Sequence, residues 1–223
     1  MARLRRTLEL RLVDAIVVAP NPVLMPEVAG LRQGFPAIPV VAYAPFRPDD
    51  GELLVDCERH EIAEFAIEGV DDPVIGDLVV RCSLTTARRR ALADGPRMLR
   101  LSDSLQQRAW HYLVTEVERP VRTLTLARQL AVSREHLSRQ FGAGGAPNLK
   151  RVIDLTRVAC AAQLLRNPGY RIATIVRLLH FASSSHLAGT VRRIASVAPS
   201  ALGTLGPKGV LAAFARGNTR SRW

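Results

Sequence analysis

The stretch that decides the fold of the second half of the chain lies at residues 126–141 and reads LARQLAVSREHLSRQF. Its apolar residues recur at a spacing that packs two short helices across a tight turn. They are Ala127, Leu130, Val132, Leu137 and Phe141. Ser133 can accept hydrogen bonds from the free backbone amides that start the second helix. The stretch predicts a helix-turn-helix, although a helical hairpin with a solvated polar face would show the same pattern.

Four polar residues of the second helix face away from this apolar set: Arg134, Glu135, Ser138 and Arg139. In a DNA-binding helix-turn-helix, that face of the second helix enters the major groove. Glu135 lies one turn before Arg139, so a surface ion pair between the two is an alternative role for both. These four residues are the first candidates for DNA contact.

A second copy of the arrangement follows, in which IATIVRLL (172–179) and SSHLAGTVRR (184–193) repeat the two short helices. A long helix is predicted between the copies, over residues 148–166, because Asn-Pro-Gly follows it. Upstream, Ser102 or Ser104 is expected to cap a helix over residues 105–118. No strand is predicted in this half, which is therefore expected to be all α.

Several short frames at consistent mutual spacing make residues 104–202 resemble the AraC/XylS family of bacterial transcription regulators. The frames are Leu-Ala, Ser and Leu-Ser-Arg-x-Phe within 126–141, Arg-x-x-x-Ala-x-x-Leu-Leu at 157–165, Ile-x-x-Ile at 172–175, Phe181 and Pro199-Ser200. The resemblance implies an all-α domain (residues 102–202) with two helix-turn-helix units joined by a long helix. It also implies regulation of transcription by binding double-stranded DNA, in the cytoplasm at the nucleoid. RNA polymerase is a further candidate partner.

The resemblance also assigns the contacts to DNA. It places Arg134, Glu135, Ser138 and Arg139 in the groove, and Arg139 keeps the family's arginine, whose planar fork can bind guanine O6 and N7. In the second unit, Ser184 and Ser185 would make only short, less selective contacts. Arg192 and Arg193 would bind phosphates.

The chain departs from the family mainly in this second unit. His180 and Ser196 stand where the family usually has glycine, and a residue with a Cβ disfavours positive φ. Leu187 and Val191 replace aromatic core residues, which removes buried area. Gly189 stands where an arginine commonly reaches DNA. We therefore expect a strained turn, looser packing and a second unit that is degenerate as a base reader.

Charge divides the chain into two parts. Residues 1–96 hold 11 arginines and 15 acidic residues, a net charge of −4. Residues 97–223 have a net charge of +15, so the whole chain has +11. An arginine-rich composition in general would raise arginine everywhere, yet the first part is acidic. The asymmetry predicts two domains and a polyanion partner for the second.

The first part, residues 1–95, alternates apolar strands with helices. Strands are predicted at 14–19 and 38–43, and helices at 25–33, 50–58, 61–68 and 74–90. Because both strands are continuous apolar runs, they are expected to be buried on both faces. This pattern predicts a partial, doubly wound α/β domain.

This domain resembles a response-regulator receiver from its third strand onward, with the final strand expected to begin at Gly69. The phosphorylated aspartate of that family is replaced by Ala19 and its hydroxyl residue by Ala44, and no lysine lies near Pro73. The strand that bears the acidic metal-binding pair is absent. An aspartyl phosphate needs a carboxylate nucleophile and Mg²⁺, so the domain is expected to be non-phosphorylatable.

A receiver without its first two strands would expose the strand that contains Ile16 as an apolar edge. Three explanations remain open: residues 1–13 cover the edge, it pairs with another protomer in a homodimer through the N-terminal domain, or the gene starts further upstream.

Other classes of function find little support in the sequence. Three scattered cysteines suit neither disulfides nor zinc, and Cys160 is expected to be a small core residue rather than the reactive thiol of a methyl-accepting repair protein. We expect no enzyme, cofactor, metal site, membrane span or secretory signal, and a mobile basic tail over residues 203–223. The alternative function is a pseudo-receiver signalling adaptor whose helical half binds DNA or a protein loosely. The run Arg88-Arg89-Arg90 would contact the DNA backbone or lie in solvent.

Overall fold

A computed structural model describes residues 2–117 and 120–220, with side chains for 3–117 and 120–217. The chain divides into a first unit, residues 1–87 with 167–170, and a second unit, residues 88–166 with 171–223. The domain boundary predicted at residue 95 lies eight residues after the end of the segment 1–87. Arg88, which follows that segment, is buried in the second unit, where its Nε donates to the carbonyl of Val114 at 2.9 Å.

Three short parallel strands form the sheet of the first unit in the order β1-β2-β3. They are β1 (Ile16–Val18), β2 (Val40–Ala44) and β3 (Glu64–Ile67). Ile16 lies opposite Val40, and Val41 lies opposite Glu64. The central strand is the best buried, since Val40, Val41 and Ala42 are almost inaccessible to solvent. The predicted α/β class and the first two strands are confirmed. The expected burial of both faces is wrong for β1, because Val17 is 47% exposed.

The third strand corrects two predictions. Residues 61–68 were expected to be helical, and the final strand was expected to begin at Gly69, but the strand is Glu64–Ile67. The acidic residues on both sides suggested a helix, whereas Phe65 and Ile67 favour a strand. Pairing with β2 and complete burial of Ala66 decide the outcome, because tertiary contacts override weak local preference.

Five helices accompany the first part of the chain: α1 (Ala2–Leu10), α2 (Met25–Gly34), α3 (Gly51–Arg59), α4 (Ile75–Cys82) and α5 (Leu84–Ala91). The single helix predicted over 74–90 is two helices, α4 and α5. The break is at Ser83, whose ψ of 153° is not helical. Its hydroxyl accepts a hydrogen bond from the Thr86 amide at 3.2 Å and donates to the Val80 carbonyl at 2.8 Å. Such local bonding by serine competes with a continuous helix.

The second unit contains helices and no strand among its described residues. After α5 come α6 (Gly95–Met98), α7 (Ser104–Thr115), α8 (Thr123–Gln129), α9 (Arg134–Gln140), α10 (Leu149–Leu164), α11 (Ile172–Leu178), α12 (Ser184–Ala195) and α13 (Leu202–Arg220). The predicted all-α class is confirmed. The predicted cap of α7 is wrong: the N-cap is Asp103, whose carboxylate accepts from the amides of Leu105 and Gln106.

The helix α10 forms the centre of this unit, and α13 packs along it. On α10, the run Ala159–Ala162 is fully buried. On α13, Val210, Leu211 and Phe214 are at most 1% exposed. The expectation of a mobile tail from residue 203 is therefore wrong for the residues described. The glycines and proline of this segment suggested disorder, but the kink at Gly206 (φ 65°) precedes a helix whose apolar face is buried.

Candidate nucleic-acid interface

Helices α8 and α9 form the first helix-turn-helix, as the sequence predicts. Leu126, Ala127, Leu130, Leu137 and Phe141 are at most 6% exposed, and Val132 is half-buried. The amide of Val132 donates to the carbonyl of Ala127 at 3.0 Å, which closes the turn. Ala131 has a φ of 55° in that turn. The pair of helices is thus held by its apolar set and by backbone hydrogen bonds.

The predicted cap of α9 is confirmed, since Ser133 Oγ accepts a hydrogen bond from the His136 amide at 3.1 Å. Arg134, Glu135, Ser138 and Arg139 are all exposed. Among the ion pairs of the described residues, none joins Glu135 to Arg139. The alternative role of Arg139, as half of a surface ion pair, therefore has no support in the geometry.

The second helix-turn-helix, formed by α11 and α12, carries the strain expected of it. His180 has a φ of 55° and Ser196, which ends α12, has a φ of 57°. Both lie in the left-handed region, which residues with a Cβ disfavour. Ser183 caps α12, because its hydroxyl accepts from the His186 amide at 3.0 Å. Ser184 and Ser185 follow it on the exposed first turn.

Arg157, on α10, braces the turn of this second unit. Its guanidinium lies 4.0 Å from the centre of the Phe181 ring and donates to the carbonyls of Leu179 (2.7 Å) and His180 (2.6 Å). Burial lowers the pKa of Arg157, and the nearby Asp154 acts in the opposite direction. The sequence had placed Arg157 only within a family frame. Its structural role is to hold the strained turn against α10.

The two arginines expected to bind phosphates are placed differently. Arg193 donates to Asp154 Oδ2 at 3.1 Å and to Thr190 Oγ1 at 3.2 Å, which ties α12 to α10. Arg192 is exposed and takes part in none of the ion pairs found among the described residues. A phosphate would have to compete with Asp154 for Arg193, whereas Arg192 has no such competitor.

Gly189 is exposed on the surface of α12. A Cβ built at this position meets no atom within 4 Å, so Gly189 is not required by packing. The glycine removes a side chain from the face that carries Ser184 and Ser185. This face of α12 therefore has few side chains that could reach the edge of a base.

In the first unit, the acidic groups beyond the carboxyl ends of the strands form local hydrogen bonds. The Tyr43 hydroxyl donates to Asp72 at 2.6 Å, which raises the pKa of Tyr43 to about 12 and lowers the pKa of Asp72. Asp71 accepts from the Ile67 amide at 2.7 Å. Within residues 2–117 and 120–217, no group of three or more His, Cys, Asp or Glu side chains is arranged to hold a metal ion.

Comparisons with known proteins point to the second unit. No helix in the described part of the chain is long and apolar enough to cross a membrane. No curated protein and no solved structure matches the chain. Residues 126–204 match the model of a family described as a helix-turn-helix domain. The matched region holds α8 from Leu126 onward and all of α9, α10, α11 and α12. The match supports a DNA-binding domain of the AraC type in this part of the chain.

Proposed function

We propose that the protein is a sequence-specific, bacterial transcription regulator of the AraC type that acts in the cytoplasm on nucleoid DNA. One observation supports the proposal: α9 is a serine-capped helix within the matched region, and its four candidate DNA-contacting residues are exposed, with no ion pair between Arg139 and Glu135. In this proposal Arg139 reads a guanine, and Arg134, Glu135 and Ser138 complete the contact surface.

Charge supplies the affinity in this proposal. Residues 120–202 hold twelve lysines and arginines against two acidic residues, Glu135 and Asp154. Asp154 is buried and paired with Arg193, so it neutralises little of the surface. Binding to a duplex would release counterions from the phosphates, which makes affinity fall steeply with salt. Arg192, Ser184 and Ser185 would position the second helix-turn-helix on the duplex and would contribute little to base recognition.

The first unit, in the same proposal, is a receiver-like module that does not transfer phosphate. The parallel order β1-β2-β3 suits the strands assigned by resemblance, and Ala19 and Ala44 supply neither nucleophile nor hydroxyl. We propose that this unit mediates self-association through the edge at β1, where Val17 is 47% exposed and the strand pairs only with β2 in the described sheet. RNA polymerase would be the partner through which the bound regulator acts.

The alternative is a pseudo-receiver adaptor that binds DNA or a protein loosely. It is supported by the small side chains on the exposed face of α12, Ser184, Ser185 and Gly189. An experiment separates the two: the full-length chain selects duplexes from a library with a randomised central segment. The regulator predicts enrichment of one motif over successive rounds, with loss of base preference at one or two positions for Arg139→Ala. Retention without any enriched motif would favour the adaptor.

A further inference from the structure

The two helix-turn-helix units share a backbone frame in detail. Leu130 and Leu179 each donate to the carbonyl four residues earlier, and Val132 and Phe181 each donate to the carbonyl five residues earlier, at 3.0 and 2.9 Å. Ala131 and His180, at the same place in the two turns, have the same φ of 55°. Residues 122–132 therefore correspond to residues 171–181.

This correspondence aligns residues that the sequence analysis did not single out. Arg122 aligns with Arg171, Thr125 with Thr174, and Arg128 with Arg177. Other identities between the units have a reason in folding, because Leu130 and Leu179 are buried and the serines Ser133 and Ser183 cap their helices. The repeated arginines are all exposed, so burial in the core does not account for their repetition.

The four arginines also occupy matching structural positions. Arg122 and Arg171 are the N-cap residues of α8 and α11, both with extended backbone and without a capping hydrogen bond from the side chain. Arg128 and Arg177 lie in the last turn of the same helices. In helix-turn-helix proteins the first helix of the pair crosses the DNA backbone while the second enters the groove. Each first helix thus carries a cation at both ends.

We propose that Arg122 with Arg128, and Arg171 with Arg177, are two equivalent pairs of phosphate-binding residues on the DNA backbone. The inference rests on the proposed function and extends it. The backbone-contacting set is duplicated, whereas the base-reading set is not. When α9 and α12 are aligned on their capping serines, Ser133 and Ser183, Arg139 corresponds to Gly189. In this proposal both helix-turn-helix units bind the duplex, and the first of them, α8 with α9, reads its base sequence.

Salt dependence of the full-length chain tests this assignment. The variants are R122Q/R128Q, R171Q/R177Q and a control pair, K208Q/R216Q, which removes the same charge from exposed positions on α13. Dissociation constants are measured on the selected duplex and on a scrambled duplex at several salt concentrations. Each helix-turn-helix pair should reduce the log–log slope by about 1.8 for its two lost contacts. The control should leave the slope unchanged.

The ratio of affinities for the two duplexes separates phosphate contact from base reading. It should stay constant in both pairs, because phosphates carry no sequence information directly. R122K/R128K and R171K/R177K should restore the slope, since lysine also binds phosphate, and matched thermal melting excludes loss of fold. Slopes equal to that of the control, or a ratio that collapses with affinity, would overturn the assignment. Wild-type binding without preference or salt dependence would overturn the proposed function instead.

Discussion

At the residue scale, the proposed reading of bases depends on Arg139. Arg139→Ala should weaken binding to the selected duplex by about 1–3 kcal/mol and flatten discrimination at one or two base pairs. The physical reason is that alanine cannot replace two hydrogen bonds to a guanine edge. Competition binding with single-base variants of the site measures both effects.

Arg192→Ala with Arg193→Ala is the matched comparison for that prediction. It should weaken all duplexes about equally and reduce the salt slope by about 1–2. Since Asp154 already binds Arg193, we expect the smaller value. If Arg139→Ala left discrimination between bases intact while Ser185→Ala abolished it, the second helix-turn-helix would read the sequence instead of the first.

Two of the residues with left-handed backbone, His180 and Ser196, stand where glycine would hold the same backbone without strain. His180→Gly and Ser196→Gly should each raise the free energy of unfolding by up to about 1 kcal/mol, because a Cβ at positive φ is disfavoured. Urea denaturation measures the change. Ala188→Gly, within α12, is the control and should lower stability by about 1 kcal/mol. A loss of stability in both test variants would show that their side chains contribute more than the strain costs.

These residues also show what the sequence can reveal at this scale. The strain at His180 and Ser196 followed from the family's preference for glycine, and the serine cap of α9 followed from local chemistry. The bond between Arg193 and Asp154 could not be predicted, because it joins residues 39 positions apart on different helices. The burial of Arg88 could not be predicted either, because Arg88, Arg89 and Arg90 together have the pattern of an exposed charge run.

At the element scale, α13 is a helix that the glycine- and proline-containing sequence of residues 203–223 did not predict. Phe214 is 1% exposed, and Arg151 lies 4.8 Å from the centre of its ring. Phe214→Ala should therefore lower the free energy of unfolding by about 3–5 kcal/mol. Arg216→Ala, on the exposed side of the same helix, should change it by less than about 0.5 kcal/mol. Equal, negligible effects of the two substitutions in chemical denaturation would contradict packing of α13.

Elements with strong periodicity and clear caps were predictable, and those decided by distant partners were not. Helices α9 to α12 begin within a residue or two of the predicted positions because their caps and breakers are local. Strand β3 depends on its pairing with β2, and α13 depends on burial against α10. Neither partner can be identified from the strand or helix alone.

At the scale of the whole molecule, the first unit should not accept phosphate. Incubation of the full-length chain with radiolabelled acetyl phosphate should leave it unlabelled, because Ala19 and Ala44 provide no oxygen nucleophile at the positions assigned by resemblance. A phosphorylatable response regulator is the positive control for the reagent. Acid-labile label retained on residues 1–95 would refute the assignment.

We propose that this chain reads DNA sequence through the first of its two helix-turn-helix units, α8 with α9. The most direct test is the ratio of dissociation constants of the full-length protein for its selected duplex and for a scrambled duplex of equal length, measured at fixed salt. A specific regulator should prefer its site by about 10³-fold or more, and Arg139→Ala should reduce that preference. A ratio near one for the wild-type chain would contradict the account.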